Sequence, residues 1–497
     1  MMYKSTRNSK IRISASQAIN QGISEEGGLF VPESLPDLSS EFEMMSKLDY
    51  NSLAKLILNE FLTDFSVEEI DKCVSNAYTS DKFGDIEPVK IKKAADSYFL
   101  ELWHGPTCAF KDMALQLLPQ LMSCSLKKIA ADKTAVILVA TSGDTGKAAL
   151  EGFKDVDSTK IIVFYPENGV SPLQKMQMNT QEGKNVQVFA VKGNFDDTQT
   201  GVKKIFTDDK VKALLNNENM MFSSANSINW GRLLPQIVYY FYAYFDLLNK
   251  GAISQIGDKI NVVVPSGNFG NILAAYYAKE MGLPINKFIC ASNANNVLTD
   301  FINTGIYDRK REFFTTSSPS MDILISSNLE RLLYTLCGEN SDKLANWMSE
   351  LADKGEYCVD DETKDKLQEM FFGGCCDDID TAKTINDMLN NEGYLCDTHT
   401  AVAVCVYEQY IAKTADKTPT LIVSTAVAYK FVHNVLEALG KDGLSDEFAE
   451  IDMLETVSDT CAPKQIKELS GKVRRFNDVI EKDDMLEAVL NYIGIEG

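Results

Sequence analysis

Chemistry could begin at a lysine with apolar neighbours. Lys111 follows Ala109 and Phe110 in the segment Glu101-Leu-Trp-His-Gly-Pro-Thr-Cys-Ala-Phe-Lys-Asp-Met-Ala114. A strand should end before the Gly-Pro turn and a helix begin near Thr107, placing the lysine in the first helical turns. Desolvation and a helix N-terminus both lower an amine pKa, and the free amine is the nucleophile of a Schiff-base lysine. The bland alternative is a lysine snorkelling off a surface helix.

Three other segments could hold anions. Thr141-Ser-Gly-Asp-Thr-Gly146 follows an apolar run and opens a helix. Its Thr141, Ser142 and Thr145 hydroxyls and successive N–H groups suit a carboxylate or phosphate, or merely cap a turn. Gly267-Asn-Phe-Gly-Asn271 also joins a strand to a helix. Its glycines allow close backbone approach, but it lacks P-loop and Rossmann spacings, so a phosphate monoester fits better than a dinucleotide. In Asn226-Ser-Ile-Asn-Trp-Gly-Arg232, Arg232 could clamp an oxyanion. Alternatively Asn226 and Ser227 cap the Tyr-rich helix that follows and Arg232 is a surface charge.

These segments need strands and helices to position them. Apolar runs at 98–102, 135–140, 161–165, 186–191, 260–264, 287–291 and 420–423 read as strands buried on both faces, with helical stretches after most of them. This alternation predicts an α/β fold with mostly parallel sheets. Residues 1–95 read as a mainly helical region interrupted by an extended Gly27–Pro32 segment, with a capping box starting at Ser66. Residues 305–395 read as helices with loops around 315–320 and 373–378, and 436–497 as a helical tail.

Bulk properties narrow the function classes. The formal charge of -22 disfavours nucleic acid and anionic membranes, and requires that any anion site carry its own positive potential. The 11 cysteines lack CxxC spacing, which predicts reduced, mostly buried thiols and no metal site. The three histidines, His104, His399 and His433, leave little for a triad. No apolar run is long enough to span a bilayer and the N-terminus lacks a signal-like core, so the expected compartment is cytoplasmic.

The ordered set of motifs resembles one family. His104-Gly-Pro-Thr-Cys-Ala-Phe-Lys-Asp, Thr141-Ser-Gly-Asp-Thr-Gly, Asn226-Ser-Ile-Asn-Trp-Gly-Arg and Gly267-Asn-Phe-Gly-Asn look like the motifs of the threonine synthases. The opening Tyr3-Lys-Ser-Thr-Arg and Glu26-Gly-Gly-Leu-Phe-Val-Pro are similar too. The resemblance implies a fold-type-II pyridoxal-phosphate (PLP) enzyme. It would have a larger α/β domain (96–125 and 255–435), a smaller one (126–254), the helical N-terminal region and the tail.

The resemblance also implies roles. Lys111 would be the Schiff-base lysine, with Phe110 beside the cofactor. Gly267, Asn268, Phe269, Gly270 and Asn271 would hold the cofactor phosphate. Ser424 and Thr425 would face the pyridine nitrogen, and Asp144 the 3-oxygen, where many relatives carry Asn. Thr141, Ser142 and Thr145 would bind a substrate carboxylate; Ser227, Asn229 and Arg232 a substrate phosphate. The implied reaction converts O-phospho-L-homoserine and water to L-threonine and phosphate, in a monomer or homodimer. One departure is Val427-Ala428, where the family reads His-Pro. The rival readings are a phospho-lyase releasing a 2-oxo acid, a serine/threonine dehydratase, a non-catalytic binding protein on the same fold and a nucleotide-binding enzyme.

Overall fold

Apolar runs without alternation form strands covered on both faces. Ile260–Pro265 is buried at every position, and Thr134–Ala140 at its five central ones. The architecture is that of a computed structural model describing residues 1–141, 143–168 and 170–495. Ser142 lies outside the described residues. All seven anticipated strands form, with ends shifted by no more than two residues.

The larger sheet runs Phe371–Cys375, Ile285–Ser292, Ile260–Pro265, Thr420–Ser424, Ser97–Glu101, Lys90–Ala94. Its neighbours are parallel except for the last hairpin. The smaller sheet is parallel throughout and runs Val479–Glu481, Val186–Lys192, Thr159–Pro166, Thr134–Ala140, Met220–Ser223. In the larger sheet Leu421 stands beside both Tyr98 and Val262, so three central strands end at the same edge. The loops leaving that edge carry Lys111, Gly267 and Thr425, the crevice position where parallel sheets bind ligands.

The N-terminal region pairs Tyr3–Ser5 with Phe30–Pro32 and packs helices such as Tyr50–Phe61 and Val67–Ala77. The Ser66–Glu69 capping box forms as the spacing predicts. Helix Trp230–Asn249 contacts both Tyr50–Phe61 and Gly270–Glu280. Its buried aromatic face, including Tyr239, Tyr240 and Tyr244, lies in the same core as Tyr50 and Ile272.

Four strands of the two large sheets depart from the sequence reading, as does the small hairpin pair Ile306–Asp308 and Glu356–Cys358 within the region read as helices. Phe371–Cys375, placed in a helix and loop, is an edge strand of the larger sheet. Its glycines hid it: a Cβ on Gly373 would stand 3.1 Å from the Thr299 backbone, so only a bare strand lets helix Val297–Thr304 pack. Lys90–Ala94 pairs with Ser97–Glu101, so a boundary at 95 cuts a hairpin; its lysines suit an exposed edge. Met220–Ser223 is short and only partly buried. The tail is not wholly helical: Val479–Glu481 extends the smaller sheet, and helix Met485–Ile493 joins that sheet's outer core.

Candidate functional site

Strand Ser97–Glu101 delivers the chain to a loop that is built before it reaches the lysine. Buried Asp112 accepts the Thr107 N–H at 2.8 Å and its hydroxyl at 2.7 Å. Gly105 passes so close that a Cβ there would stand 2.6 Å from the Asp112 Cβ. Burial pushes the Asp112 carboxyl up to about 6 despite these hydrogen bonds. The helix starts at Lys111 itself rather than near Thr107. Lys111 is buried, not snorkelling. Its Nζ lies 3.2 Å from Ser320 Oγ, 3.5 Å from Asp144 Oδ2 and 5.0 Å from the centre of the Phe110 ring. Burial lowers its pKa; Asp144 opposes this, while Lys430 and Arg232 reinforce it. The result is an amine biased toward its nucleophilic form.

Asp144 comes from the other sheet, as the first residue of helix Asp144–Phe153 after strand Thr134–Ala140. It accepts a hydrogen bond from Gln174 Nε2 at 2.9 Å and pairs with fully buried Lys430. Lys430 also donates to the Thr107 carbonyl at 3.0 Å. Burial raises the Asp144 carboxyl, but Lys430 and Lys111 outweigh it and hold the group well below the usual carboxylate range. In the same turn the Thr141 hydroxyl accepts the N–H groups of Gly143 at 3.0 Å and Gly146 at 2.9 Å. Thr145 is half-buried in the first helical turn.

The Gly267–Asn271 loop is held from outside. Ser326 Oγ donates to the Gly267 carbonyl at 2.7 Å, and the Asn328 side chain to the Asn268 carbonyl at 3.0 Å. A Cβ on Gly267 would stand 2.7 Å from the Ser320 carbonyl, and Phe269 adopts a left-handed φ of 63°. Asn271 Oδ1 accepts hydroxyl protons from Tyr239 and Tyr240. Its Nδ2 is buried with no partner among the described residues. An unpartnered donor at the start of an 11-residue helix opened by Gly270 fits a phosphate group.

Arg232 is buried, and among the described residues no carboxylate pairs with it. Its Nη1 donates to the Ala225 carbonyl at 2.9 Å, and burial lowers its pKa to about 10. Ser227 Oγ lies 3.4 Å from Ser327 Oγ. Asn229 corrects the sequence reading. It is fully buried and caps helix Trp230–Asn249 in place of Asn226 and Ser227. Its amide donates to the carbonyls of Ile19 and Ser224, and its oxygen accepts the Gly231 N–H. Both its amide protons are thereby used within the fold, leaving none to donate to a phosphate.

Ser424 and Thr425 end the central strand. Ser424 Oγ accepts from Trp103 Nε1 at 3.0 Å and lies 3.2 Å from the Thr400 hydroxyl. The Thr425 carbonyl accepts the Phe110 N–H at 2.8 Å. The sequence reading missed Ser320, Gln174 and Lys430 at Lys111 and Asp144, and His399 behind Ser320. Lys430 lies two residues beyond the Val427-Ala428 departure. Ser320 came from a segment read as a plain loop, and His399 was discounted because histidines are few. Among the described residues no group of three His, Cys, Asp or Glu could hold a metal. No described helix is long and apolar enough to cross a membrane.

Two α/β units meeting at a buried lysine, with a phosphate-fitting loop beside it, define a pyridoxal-phosphate-dependent enzyme, and residues 89–363 match the family model of that description. Residues 2–78 match the threonine synthase N terminus and 400–493 the threonine synthase C-terminal region. Threonine synthase of Saccharomyces cerevisiae is 37% identical, covering 99% of this chain and 97% of that protein. The PLP-bound threonine synthase structure from Brucella melitensis superposes with a TM-score of 0.87 at 33% identity, covering 99% of this chain and 98% of that one. Human threonine synthase-like 1 is 41% identical over 85% of this chain, which spans 58% of that protein's length. The chain belongs to the threonine synthase family.

Proposed function

We propose that the protein converts O-phospho-L-homoserine and water to L-threonine and phosphate. One observation carries this reading: two anion sites lie by buried Lys111. One is the Gly267–Asn271 loop with its open Asn271 amide, suited to the cofactor phosphate. The other is Arg232, a buried cation with no carboxylate partner among the described residues. An uncompensated buried charge costs several kcal/mol, on the order of 3–5, so its retention points to an anion supplied by the substrate. A serine or threonine dehydratase has no use for the second site, because its substrate carries no phosphate.

When bound, PLP supplies an electron sink for the carbon that carries the amino group. The chain's own residues do the rest. Lys111 takes and returns protons at the α and β carbons, its pKa lowered for that work by burial. Arg232 with Ser227 binds the substrate phosphate and stabilises it as it leaves the γ carbon. Thr145 is assigned to the substrate carboxylate. Phe110 lies against the lysine, and Ser424 or Thr425 presents a neutral hydroxyl to the pyridine nitrogen.

Val427 and Ala428 support retention of the loop behind the lysine. Val427 N–H donates to the Cys108 carbonyl at 3.3 Å, Ala426 bridges Ala109, and both Val427 and Ala428 are buried. The backbone tie to the Lys111 loop thus needs no histidine. The test is a steady-state assay of the PLP-loaded protein with O-phospho-L-homoserine, reading phosphate, threonine and 2-oxo acid together. Equal phosphate and threonine supports the proposal; phosphate matched by 2-oxo acid replaces it with the phospho-lyase.

A further inference from the structure

Ser320 touches both halves of the cofactor site. Its hydroxyl stands 3.2 Å from Lys111 Nζ, and its carbonyl lies against Gly267, where a Cβ would approach to 2.7 Å. It sits in the single 3-10 turn Pro319–Met321, which has no side-chain cap of its own. Something outside that turn must fix it. The Ser320 N–H donates to His399 Nε2 at 3.2 Å. A backbone N–H can only donate, so Nε2 carries the lone pair and the ring proton is on Nδ1. Nδ1 faces Asp397 Oδ1 at 2.9 Å. His399 and Asp397 are both buried.

Asp397 is itself fixed by its backbone role. It caps helix Thr398–Thr414, accepting the N–H groups of His399 at 2.9 Å and Thr400 at 3.4 Å. The Phe431 ring packs 4.8 Å from the imidazole, which limits its tilt. The chain of contacts Asp397–His399–Ser320–Lys111 therefore runs from a rigid 17-residue helix to the reactive amine.

We propose that His399, oriented by Asp397, is a positioning residue that places the Ser320 hydroxyl against Lys111. The proposal rests on Lys111 being the reactive amine, as argued above. The Ser320 hydroxyl accepts a hydrogen bond from the charged amine, so losing Ser320, or its placement, removes a contact that favours the ammonium form.

The experiment reads the amine and not turnover. Full-length protein freed of cofactor is acetylated with acetic anhydride across a pH series. The Lys111 peptide is quantified by mass spectrometry against exposed lysines. Ser320→Ala and His399→Leu should each lower the Lys111 titration midpoint by about half to one pH unit, the scale of one hydrogen bond. The double variant should shift no further than either single one. His399→Gln keeps an acceptor for the Ser320 N–H and should stay nearer the wild type than His399→Leu does. A Lys111 midpoint unmoved by His399→Leu, additive shifts in the double variant, or a glutamine variant as shifted as the leucine one would each overturn the proposal. Should His399→Leu not fold, His399→Gln decides alone, and a shift equal to that of Ser320→Ala refutes it. Absence of the cofactor's visible absorption band in the PLP-loaded wild type would sink the cofactor reading separately, leaving this coupling still measurable.

Discussion

Two loops with the same plan, strand then glycines then helix, behave in opposite ways. In Thr141–Gly146 the chain satisfies itself: the Thr141 hydroxyl takes two of the helix-start N–H groups. Asp144 adds a negative charge there, paired with Lys430. In Gly267–Asn271 no acidic residue stands in the loop, the carbonyls are tied back by Ser326 and Asn328, and one buried amide donor is left open. Sequence grammar makes both loops possible anion cradles. What separates them is which donors the protein has already used. The first loop is better suited to orienting Asp144 toward Lys111 than to swallowing a second anion whole.

That contrast can be broken most sharply at the residue both loops serve. Lys111→Ala should reduce turnover at least ~1,000-fold, since it removes nucleophile and proton carrier together; a variant with ordinary threonine formation would end the assignment. Arg232→Ala should raise KM for O-phospho-L-homoserine roughly 100-fold through loss of a charged contact, while leaving PLP affinity near wild type. Asn271→Ala should do the reverse. Equilibrium dialysis should show PLP binding weakened about tenfold, with KM for substrate little changed once cofactor is saturating. Thr141→Val should act as loss of a helix cap, lowering stability by about 1 kcal/mol in denaturant titration, with the smallest effect on PLP affinity of the set. If instead Thr141→Val and Asn271→Ala weaken PLP equally, the two loops share one task and the comparison fails.

Much of this was legible in the residues, and the gaps have physical causes. Lys111, the Gly267–Asn271 loop and Arg232 show themselves by type and neighbours, because a lysine or arginine among apolar residues is already an anomaly. The inner strands, such as Thr134–Ala140 and Ile260–Pro265, show as Val/Ile-rich runs. Phe371–Cys375 did not, because Gly373 and Gly374 suppress the hydrophobic signal that close helix packing demands. Asn229 was misassigned because an asparagine that caps and one that binds ligand read alike until its three partners are known. Ser320 and His399 are 79 residues apart and meet only through the fold. No local pattern encodes such a pair. Lys430 follows closely on Val427-Ala428, but its ion pair with Asp144 crosses from one sheet to the other.

The strand Val479–Glu481, which completes the smaller sheet beside Val186–Lys192, also has a consequence in time. On a ribosome adding about 5–20 residues per second, its partner edge would wait roughly 15–60 s for that strand to emerge. Throughout that interval Val186–Lys192 presents unpaired backbone to the cell, and the nascent chain should engage holding chaperones until its last segment arrives.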